Sequence, residues 1–334
     1  MTQNRPLLND MRSTPRVHGG GRNREALVEK ARQAITDGSR SFAMASTLFR
    51  KATRERVWLL YAWCRRCDDL ADGQDMGGAL GNQAGIEDRV QAIRVLTRRA
   101  LEGQPTADPA FDSFGLVAAE MGLNKDMSDD VIAGFAMDAA EFRPKGKKDV
   151  LRYCYHVAGA VGVMMARVMQ APDDSDVYDR ACDLGIAFQL SNIVRDVVED
   201  DAGGRCYLPV EWLADAGLDS GDFADPDNRF ALAAVSARMV DLMEVYEAAA
   251  RMGAARLSFR NRWAIYAAAR IYGAIGRKVR SRGQLAWDSR TRIGRMAKIG
   301  HVAAALGDAV INRPSPPAQW PEYTRSDLRP IKGW

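Results

Sequence analysis

The sequence lacks the features that mark several large classes of protein. No apolar run is long enough to span a bilayer, and the N-terminus has no apolar signal-peptide core, so we expect neither a membrane span nor secretion. Neither G-x-G-x-x-G nor a P-loop occurs, so no nucleotide-binding loop is indicated. The five cysteines have no framework spacing, which is typical of reduced thiols and predicts a cytoplasmic protein.

Runs of β-branched residues with a period of two are also nearly absent. Alanine, leucine, arginine and methionine recur instead, so the sequence predicts an all-α fold. A chain of 334 residues is long enough to bury one large core. We therefore expect a single helical domain at 23–311, between a flexible leader at 1–22 and a proline-rich tail at 312–334 that is extended and poorly ordered.

Charge is unevenly distributed along the chain, although the formal net charge is only +4. Residues 256–298 carry twelve lysines or arginines and one acid, Asp288. Such a basic region suits anionic lipid or a phosphorylated substrate, and it predicts peripheral contact with a membrane. Nucleic acid is the least favoured partner, because acidic motifs elsewhere would repel it and no known binding module occurs. The alternative is a set of solvated arginine faces on surface helices.

Two acidic motifs are the most informative feature. Asp68 and Asp72 are four residues apart, as are Asp196 and Asp200, and Asn192 precedes the second pair by another four. On a helix this spacing places the side chains on one face. A hard cation stabilises such a stripe, because Mg²⁺ takes one or two carboxylates and completes its coordination with water and substrate phosphates. The pattern predicts a magnesium site, with Mn²⁺ as a substitute, for a diphosphate leaving group.

Each acidic motif continues an apolar helical stripe, which distinguishes it from a solvated helix end. The stripes belong to predicted helices at 53–72 and 175–200. They contain Val57, Tyr61 and Cys64 before the first motif, and Cys182, Ile186 and Gln189 before the second. Carboxylates on the buried side of a helix are costly unless they are paired or bound to metal. The repetition favours the metal site over two exposed acidic helix ends.

Three weaker features have a structural alternative beside the functional one. Cys64 and Cys67 have zinc-like spacing but no second pair, so two small residues in a helix interface are favoured. His156 lies in a predicted apolar helix at 148–170 and is read as a core histidine rather than a base. Gly159 and Gly162 in that helix would permit close packing, local unwinding or a substrate chain alongside.

Five strings occur together in a characteristic order. They are SRSF at 39–42, YAWCRRCDD at 61–69, YCYHVAG at 153–159, QLSNIVRD at 189–196 and GRCYLP at 204–209. In combination they resemble the squalene/phytoene synthase family over roughly residues 25–310. The resemblance implies an all-α isoprenoid-synthase helical bundle around a central cavity.

The resemblance also implies a reaction. Two molecules of geranylgeranyl diphosphate are joined head to head, through prephytoene diphosphate, to phytoene in carotenoid biosynthesis. The reaction releases diphosphate and ends with proton loss, so we expect no requirement for NADPH. The main rival is a C30 enzyme that makes squalene or diapophytoene from farnesyl diphosphate. An inactive helical scaffold that binds membranes is the alternative outside the enzyme class. Oligomeric state is left open.

Residue roles follow from the same resemblance. Asp68 and Asp72 would hold metal at one diphosphate, and Asn192, Asp196 and Asp200 would hold it at the other. The remaining expected site residues are the diphosphate contacts Arg65, Arg195 and Arg205, with Ser41 and Tyr207 nearby, and the cavity residues Phe42, Tyr153, Phe188 and Gln189. Of these, Tyr153 is expected to be catalytic. A plain helical salt bridge between Arg195 and Glu199 is the alternative for that arginine.

Overall fold

The protein is described from a computed structural model that covers residues 17–73, 85–219 and 221–329. Within these ranges the chain forms α-helices and no β-strand, so the all-α prediction is confirmed. The helices, in chain order, are α1 (Arg24–Gly38), α2 (Arg40–Ser46), α3 (Lys51–Asp72), α4 (Ile86–Leu101), α5 (Pro109–Met121), α6 (Lys125–Ala139), α7 (Lys147–Cys154), α8 (Ala160–Val168), α9 (Ser175–Ala202), α10 (Val210–Asp215), α11 (Arg229–Ala254), α12 (Phe259–Arg282), α13 (Arg295–Ile311) and α14 (Arg325–Leu328).

Helices α3 and α9 carry the acidic motifs, and local signals set their ends. α3 stops at Gly73, whose φ of 64° is left-handed and unstrained only for glycine. α9 begins after Asp174, whose side chain accepts a hydrogen bond from the backbone N–H of Asp176. The predicted helices at 53–72 and 175–200 are therefore confirmed within two residues at each end.

The predicted helix at 148–170 is interrupted. A π-helical turn at Tyr155–Gly159 separates α7 from α8. Next to this turn the backbones of α8 and α9 approach closely, because a Cβ added to Gly162 would stand 2.3 Å from the carbonyl oxygen of Ala181. Of the alternatives for the glycines in this helix, the structure supports close packing together with a local change of helical type. Gly162 also lines an apolar cavity, so the alternative of a substrate chain alongside stays open.

Helix α9 lies at the centre of the bundle. It packs against α7, α8, α11 and α12, and its buried residues lie on all its sides. A second part of the core lies between α3 and α5, where the rings of Trp63 and Phe114 stack 4.2 Å apart. The Trp63 indole N–H donates to Thr97 Oγ1 at 3.1 Å, so its one polar atom is satisfied. Among the described helices, none combines the length and hydropathy required to cross a bilayer.

The tail is extended over residues 312–324, which form no helix and are largely exposed. Its described end contacts the helical body, since Leu328 in α14 is fully buried, Arg325 pairs with Asp179 at 3.0 Å, and Arg329 pairs with Asp130 at 3.0 Å. The expectation that the tail is poorly ordered stays a prediction. In the leader, residues 1–16 lie outside the described part of the chain.

Candidate active site

An apolar cavity of about 400 Å³ runs along α9. The side of α9 from Val177 to Asn192 lines it, a distance of about 22 Å at 1.5 Å per residue. Asp68 of α3 lies at the Asn192 end, and Leu257, which follows α11, lies towards the Val177 end. The acidic motifs therefore meet at the polar end of the cavity, beside Asn192. The rest of the lining is mainly apolar, although Arg180, which pairs with Asp183 at 2.8 Å, also contributes to it.

The first motif divides its carboxylates between two roles. Asp68 lines the cavity and pairs with Arg65 at 3.0 Å. Asp69 is buried outside the cavity lining and also pairs with Arg65. Asp72 pairs with Arg205 at 2.7 Å, across 133 positions of sequence. Asp69 therefore fixes Arg65, while Asp68 and Asp72 face the site.

The second motif is also bound by arginines. Asp196 accepts Arg195 Nε at 2.8 Å and Arg290 at 2.9 Å. The alternative salt bridge from Arg195 to Glu199 is wrong, because the guanidinium turns to its chain neighbour instead. Asn192 Oδ1 is buried and has no hydrogen-bond partner among the described residues. An orphaned amide oxygen at the polar end of the cavity is an available ligand.

Asp138 of α6 connects the two motifs. Its carboxylate accepts the Tyr207 hydroxyl at 2.7 Å and the Tyr153 hydroxyl at 3.3 Å. The two tyrosine rings stack, with centroids 4.5 Å apart. The negative charge of Asp138 acts on Asp68 and on Asp200, so it lies within electrostatic range of both motifs. This carboxylate fixes both phenols behind the polar end of the cavity.

Negative charge is crowded here. Burial raises the pKa of Asp68 to about 7, and Asp72 adds to the increase, although nearly half of the Asp68 side chain is open to the cavity. Burial likewise raises the pKa of Asp200 to about 7, with a contribution from Asp196. Burial raises the pKa of Asp138 to about 6. Such shifts mean that the ionised carboxylates lack sufficient positive charge nearby, which is characteristic of functional sites.

The donor set fits a hard divalent cation. Among the described residues, no three His, Cys, Asp or Glu side chains form a ready-made metal cluster. Mg²⁺ does not need one, since it takes one or two carboxylates and fills its other positions with water and phosphate oxygens. The raised pKa values of Asp68 and Asp200 and the unpartnered oxygen of Asn192 are the features that such an ion would satisfy.

Aromatic rings form much of the cavity wall. Phe188 stacks on Tyr272 with centroids 4.3 Å apart, and Phe42 contacts Tyr61 at 5.6 Å. Together with Gln189, these four residues line the cavity. A wall of this kind excludes water and presents π faces to a developing positive charge.

The remaining predicted residues have different positions. Tyr153, Tyr207 and Arg205 lie behind the cavity lining, where they bind Asp138 and Asp72. The side chain of Ser41 lies outside the described part of the chain.

The two features read as structural have different outcomes. Cys67 is a fully buried free thiol in α3, as expected, whereas Cys64 is partly buried and lines the cavity. His156 bonds through Nδ1 to the carbonyl oxygen of Asp130 at 2.7 Å, and burial lowers the pKa of its imidazole. His156 therefore lies in the core, as expected.

Sequence reasoning missed Asp138, Arg290 and Tyr272. A signal for Asp138 was present, because Val131 and Phe135 form the same kind of apolar stripe before it and both line the cavity. Arg290 had no such signal, since it reaches Asp196 from the segment between α12 and α13.

Comparisons with known proteins find similar sequences over most of the chain. A family model described as squalene/phytoene synthase matches residues 35–297. The phytoene synthase of Pseudescherichia vulneris is 47% identical over 288 residues, which cover 85% of this chain and 92% of that protein. The 15-cis-phytoene synthase of Pantoea ananas is 43% identical over 293 residues, covering 87% of this chain and 94% of that protein.

Solved structures share the fold. A dehydrosqualene synthase in complex with a ligand superposes with a TM-score of 0.76 at 24% identity, covering 85% of this chain and 96% of that one. The squalene synthase HpnC from Alicyclobacillus acidocaldarius superposes with a TM-score of 0.69 at 22% identity, covering 78% and 95%. These likenesses confirm the predicted isoprenoid-synthase helical bundle. The family match over most of the chain and the identity to curated relatives show that this protein belongs to the squalene/phytoene synthase family.

Proposed function

We propose that the protein is a 15-cis-phytoene synthase that joins two geranylgeranyl diphosphates head to head in carotenoid biosynthesis. The observation that carries the proposal is the meeting of the two acidic motifs, linked through Asp138, at the polar end of a long apolar cavity. The similar relatives named phytoene synthase support the C20 substrate. Loss of two diphosphates and two protons converts the two C20 chains to one C40 hydrocarbon, so the reaction balances without a reductant or NADPH.

The arginines provide positive charge for the diphosphates. Arg65, Arg195, Arg205 and Arg290 now pair with carboxylates at the cavity end. A guanidinium binds a diphosphate through the same paired N–H groups, so an arriving substrate exchanges one anionic partner for another. This exchange frees the carboxylates of Asp68, Asp72 and Asp196. Asp68 and Asp72 at one diphosphate, and Asp196 with Asp200 and the amide oxygen of Asn192 at the other, would hold Mg²⁺ or Mn²⁺, whose charge stabilises the departing diphosphate.

The aromatic groups act on the hydrocarbon part of the reaction. Phe42, Phe188 and Tyr272 exclude water from the reacting carbons, which prevents premature capture of a carbocation. The Tyr153 hydroxyl, fixed by Asp138, lies behind the diphosphate end. Asp138 is a positioning residue for Tyr153 and Tyr207, because it binds both hydroxyls and keeps their rings stacked.

A second candidate is a C30 synthase that uses farnesyl diphosphate. The structural similarity to squalene and dehydrosqualene synthases supports this alternative at the level of the fold.

Purified protein with Mg²⁺ should be given C15 and C20 diphosphates in competition, with and without NADPH, and the extracted hydrocarbon should be identified by mass and ultraviolet spectrum. We expect a C40 triene from the C20 substrate, unchanged by NADPH. The variant Asp196→Ala is the inactive control. A C30 product, or a saturated central bond that appears only with NADPH, would select the other branch of the family.

We also propose that the protein works in the cytoplasm at a membrane surface. All five cysteines are unpaired thiols, which supports a reducing compartment. The proposed substrate has long apolar chains and the product is a hydrocarbon, so both partition into lipid rather than water.

A further inference from the structure

Helix α13 exposes its large apolar side chains to solvent, whereas an ordinary surface helix buries them against the core. Met296 is 77% exposed, Val310 67% and Ile311 68%, and Ile299 and Leu306 are exposed on the same side. The buried residues of α13 are only two alanines. After the exposed Arg295, the ionisable side chains of the helix are half-buried, and Asp308 pairs with arginines of α11 and α12. The outward face therefore has no exposed charge between Arg295 and Arg313.

The orientation of α13 is fixed by its packing on α12. Ala305 and Ala309 are fully buried against this helix, which permits a close approach. The Trp263 indole N–H donates to the carbonyl oxygen of Val302 at 2.9 Å, and Arg262 Nε donates to that of Ala309 at 3.1 Å. Turning the helix inward would break these contacts and push large side chains into an alanine-sized gap. The packing of α13 on α12 therefore keeps the apolar face exposed.

Basic residues lie at both ends of this face. Arg292 and Arg295 precede it, and Arg313 follows it, with Arg260 exposed at the start of the adjacent α12. None of these four forms an ion pair within the described residues. Other arginines of the 256–298 region differ, since Arg256, Arg277, Arg280 and Arg290 pair with acids. Arg262, Lys278 and Arg282, which also lack an ion pair among the described residues, donate to backbone carbonyl oxygens. Four arginines without an acidic partner therefore flank the apolar face.

This arrangement favours an anionic lipid surface over a second copy of the chain. In a symmetric pair, antiparallel α13 helices would bring Arg295 close to Arg313, and parallel helices would bring each arginine close to its own copy. Both arrangements oppose like charges around the contact. A helix of 17 residues is about 25 Å long, and an apolar face with basic ends is the pattern of helices that lie in a membrane interface.

The face also lies over the apolar end of the cavity. Ala305 and Ala309 pack in one cluster with Ala254, which lines the cavity together with Leu257. The chain between Ala254 and α12 hydrogen-bonds to the end of α13, since Asn312 donates to the carbonyl oxygen of Ala255 at 3.2 Å. Phe259, 43% exposed, adds apolar surface next to it.

We propose that the outward face of α13 docks the protein on an anionic bilayer, with the apolar end of the cavity turned towards the lipid. The second part rests on the proposed function, because only a hydrocarbon product gives that orientation a use. Attachment to the bilayer then has an electrostatic and an apolar contribution. Basic ends attract the anionic surface, and the apolar side chains enter the interface.

Co-sedimentation of the full-length chain with vesicles tests the proposal. Vesicles of phosphatidylcholine mixed with phosphatidylglycerol, and of phosphatidylcholine alone, are compared at low and high salt. The variants are Met296→Glu and Val310→Glu, with Phe230→Glu on α11 as a control at an even more exposed apolar residue (82%). Each α13 variant should weaken binding to the anionic vesicles by roughly tenfold, since it removes apolar contact and adds like charge. Phe230→Glu should bind as the wild type does, and high salt should reduce wild-type binding without abolishing it.

Three results would overturn the proposal. The first is equal vesicle binding by the α13 variants and the wild type, and the second is no wild-type binding to either kind of vesicle. The third is a wild-type dimer, seen by light scattering, that the α13 substitutions dissociate without any change in vesicle binding.

Diphosphate release in detergent separates this proposal from the proposed function. Met296 and Val310 do not touch the cavity, so their variants should release diphosphate normally there. A wild type that binds vesicles but releases none would refute the function and leave the docking surface intact.

Discussion

The substitution Gly185→Ala tests the close backbone approach of α9 to the π-helical turn. Gly185 lies in α9, seven residues before Asn192. A Cβ added there would stand 2.2 Å from the carbonyl oxygen of Ala158 and 2.8 Å from the Cα of Gly159. Both contacts are backbone atoms of the π-helical turn, so no side-chain rotation can relieve them. The two segments must separate by about 1 Å to reach ordinary van der Waals contact.

The change in the free energy of unfolding follows from two opposing effects. Overpacking costs about 2–3 kcal/mol where the neighbours cannot yield. Alanine gains about 1 kcal/mol over glycine within a helix. Gly185→Ala should therefore destabilise the protein by about 1–2 kcal/mol. The displacement also reaches Tyr153 and Asn192 at the site, where a 1 Å misplacement can reduce the rate on the order of 100-fold.

Urea unfolding and diphosphate release together check this prediction. The control is Gly300→Ala on α13, where an added Cβ meets no atom within 4 Å. That variant should gain up to about 1 kcal/mol from helix propensity and keep full release in detergent. Wild-type stability and activity in Gly185→Ala would refute the close crossing of α9 with the π-helical turn.

Further predictions concern the carboxylates of the site. Asp68→Ala and Asp196→Ala should each slow Mg²⁺-dependent diphosphate release on the order of 100-fold or more, while circular dichroism shows unchanged helix content. Calorimetric Mg²⁺ affinity should rise between pH 6 and pH 8, because the pKa values of Asp68 and Asp200 are both raised to about 7 and the cation binds the ionised forms. Asp138→Asn and Tyr207→Phe should be non-additive in kcat/KM, with a coupling of about 1.5–3 kcal/mol for a hydrogen bond to a charged group.

The direction of the pH effect on stability follows from the same pKa shifts. With raised pKa values, the metal-free folded protein binds more protons than the unfolded chain between about pH 4 and pH 7, so its stability falls as pH rises through that window. Mg²⁺ should oppose this fall, and a thermal melt at pH 8 should gain more from Mg²⁺ than one at pH 6. Additive effects of Asp138→Asn and Tyr207→Phe, or Mg²⁺ affinity that is independent of pH, would count against the site as described.

The sequence was informative where a pattern is local. The stripes before Asp68 and Asp196 predicted both the helices and the inward side of the motifs, since helical spacing alone determines a shared face. Asp138 follows a similar stripe, but it has no second carboxylate four residues away, so the stripe alone did not mark it as part of an acidic motif. Arg290 reaches Asp196 through the path of the chain between α12 and α13, which no local pattern contains.

Tertiary contacts also determine which basic side chains of the 256–298 region are paired with acids. Its sequence suggested a basic region suited to anionic lipid or a phosphorylated substrate, with solvated arginine faces as the alternative. The structure neutralises several of its arginines, such as Arg256 with Asp174 and Arg277 with Glu247. It leaves an apolar face on α13 instead, because alanines rather than the larger side chains fit against α12. The periodicity of α13 was visible in the sequence, but which face would be buried was not.

The most direct test of the account is the stoichiometry of diphosphate release. Purified protein with Mg²⁺ and geranylgeranyl diphosphate, without NADPH, should be assayed for diphosphate and for hydrocarbon in the same tube. If both acidic motifs serve one head-to-head reaction, two diphosphates are released for each C40 triene formed. One diphosphate per product, with the second retained on a longer prenyl diphosphate, would contradict the account.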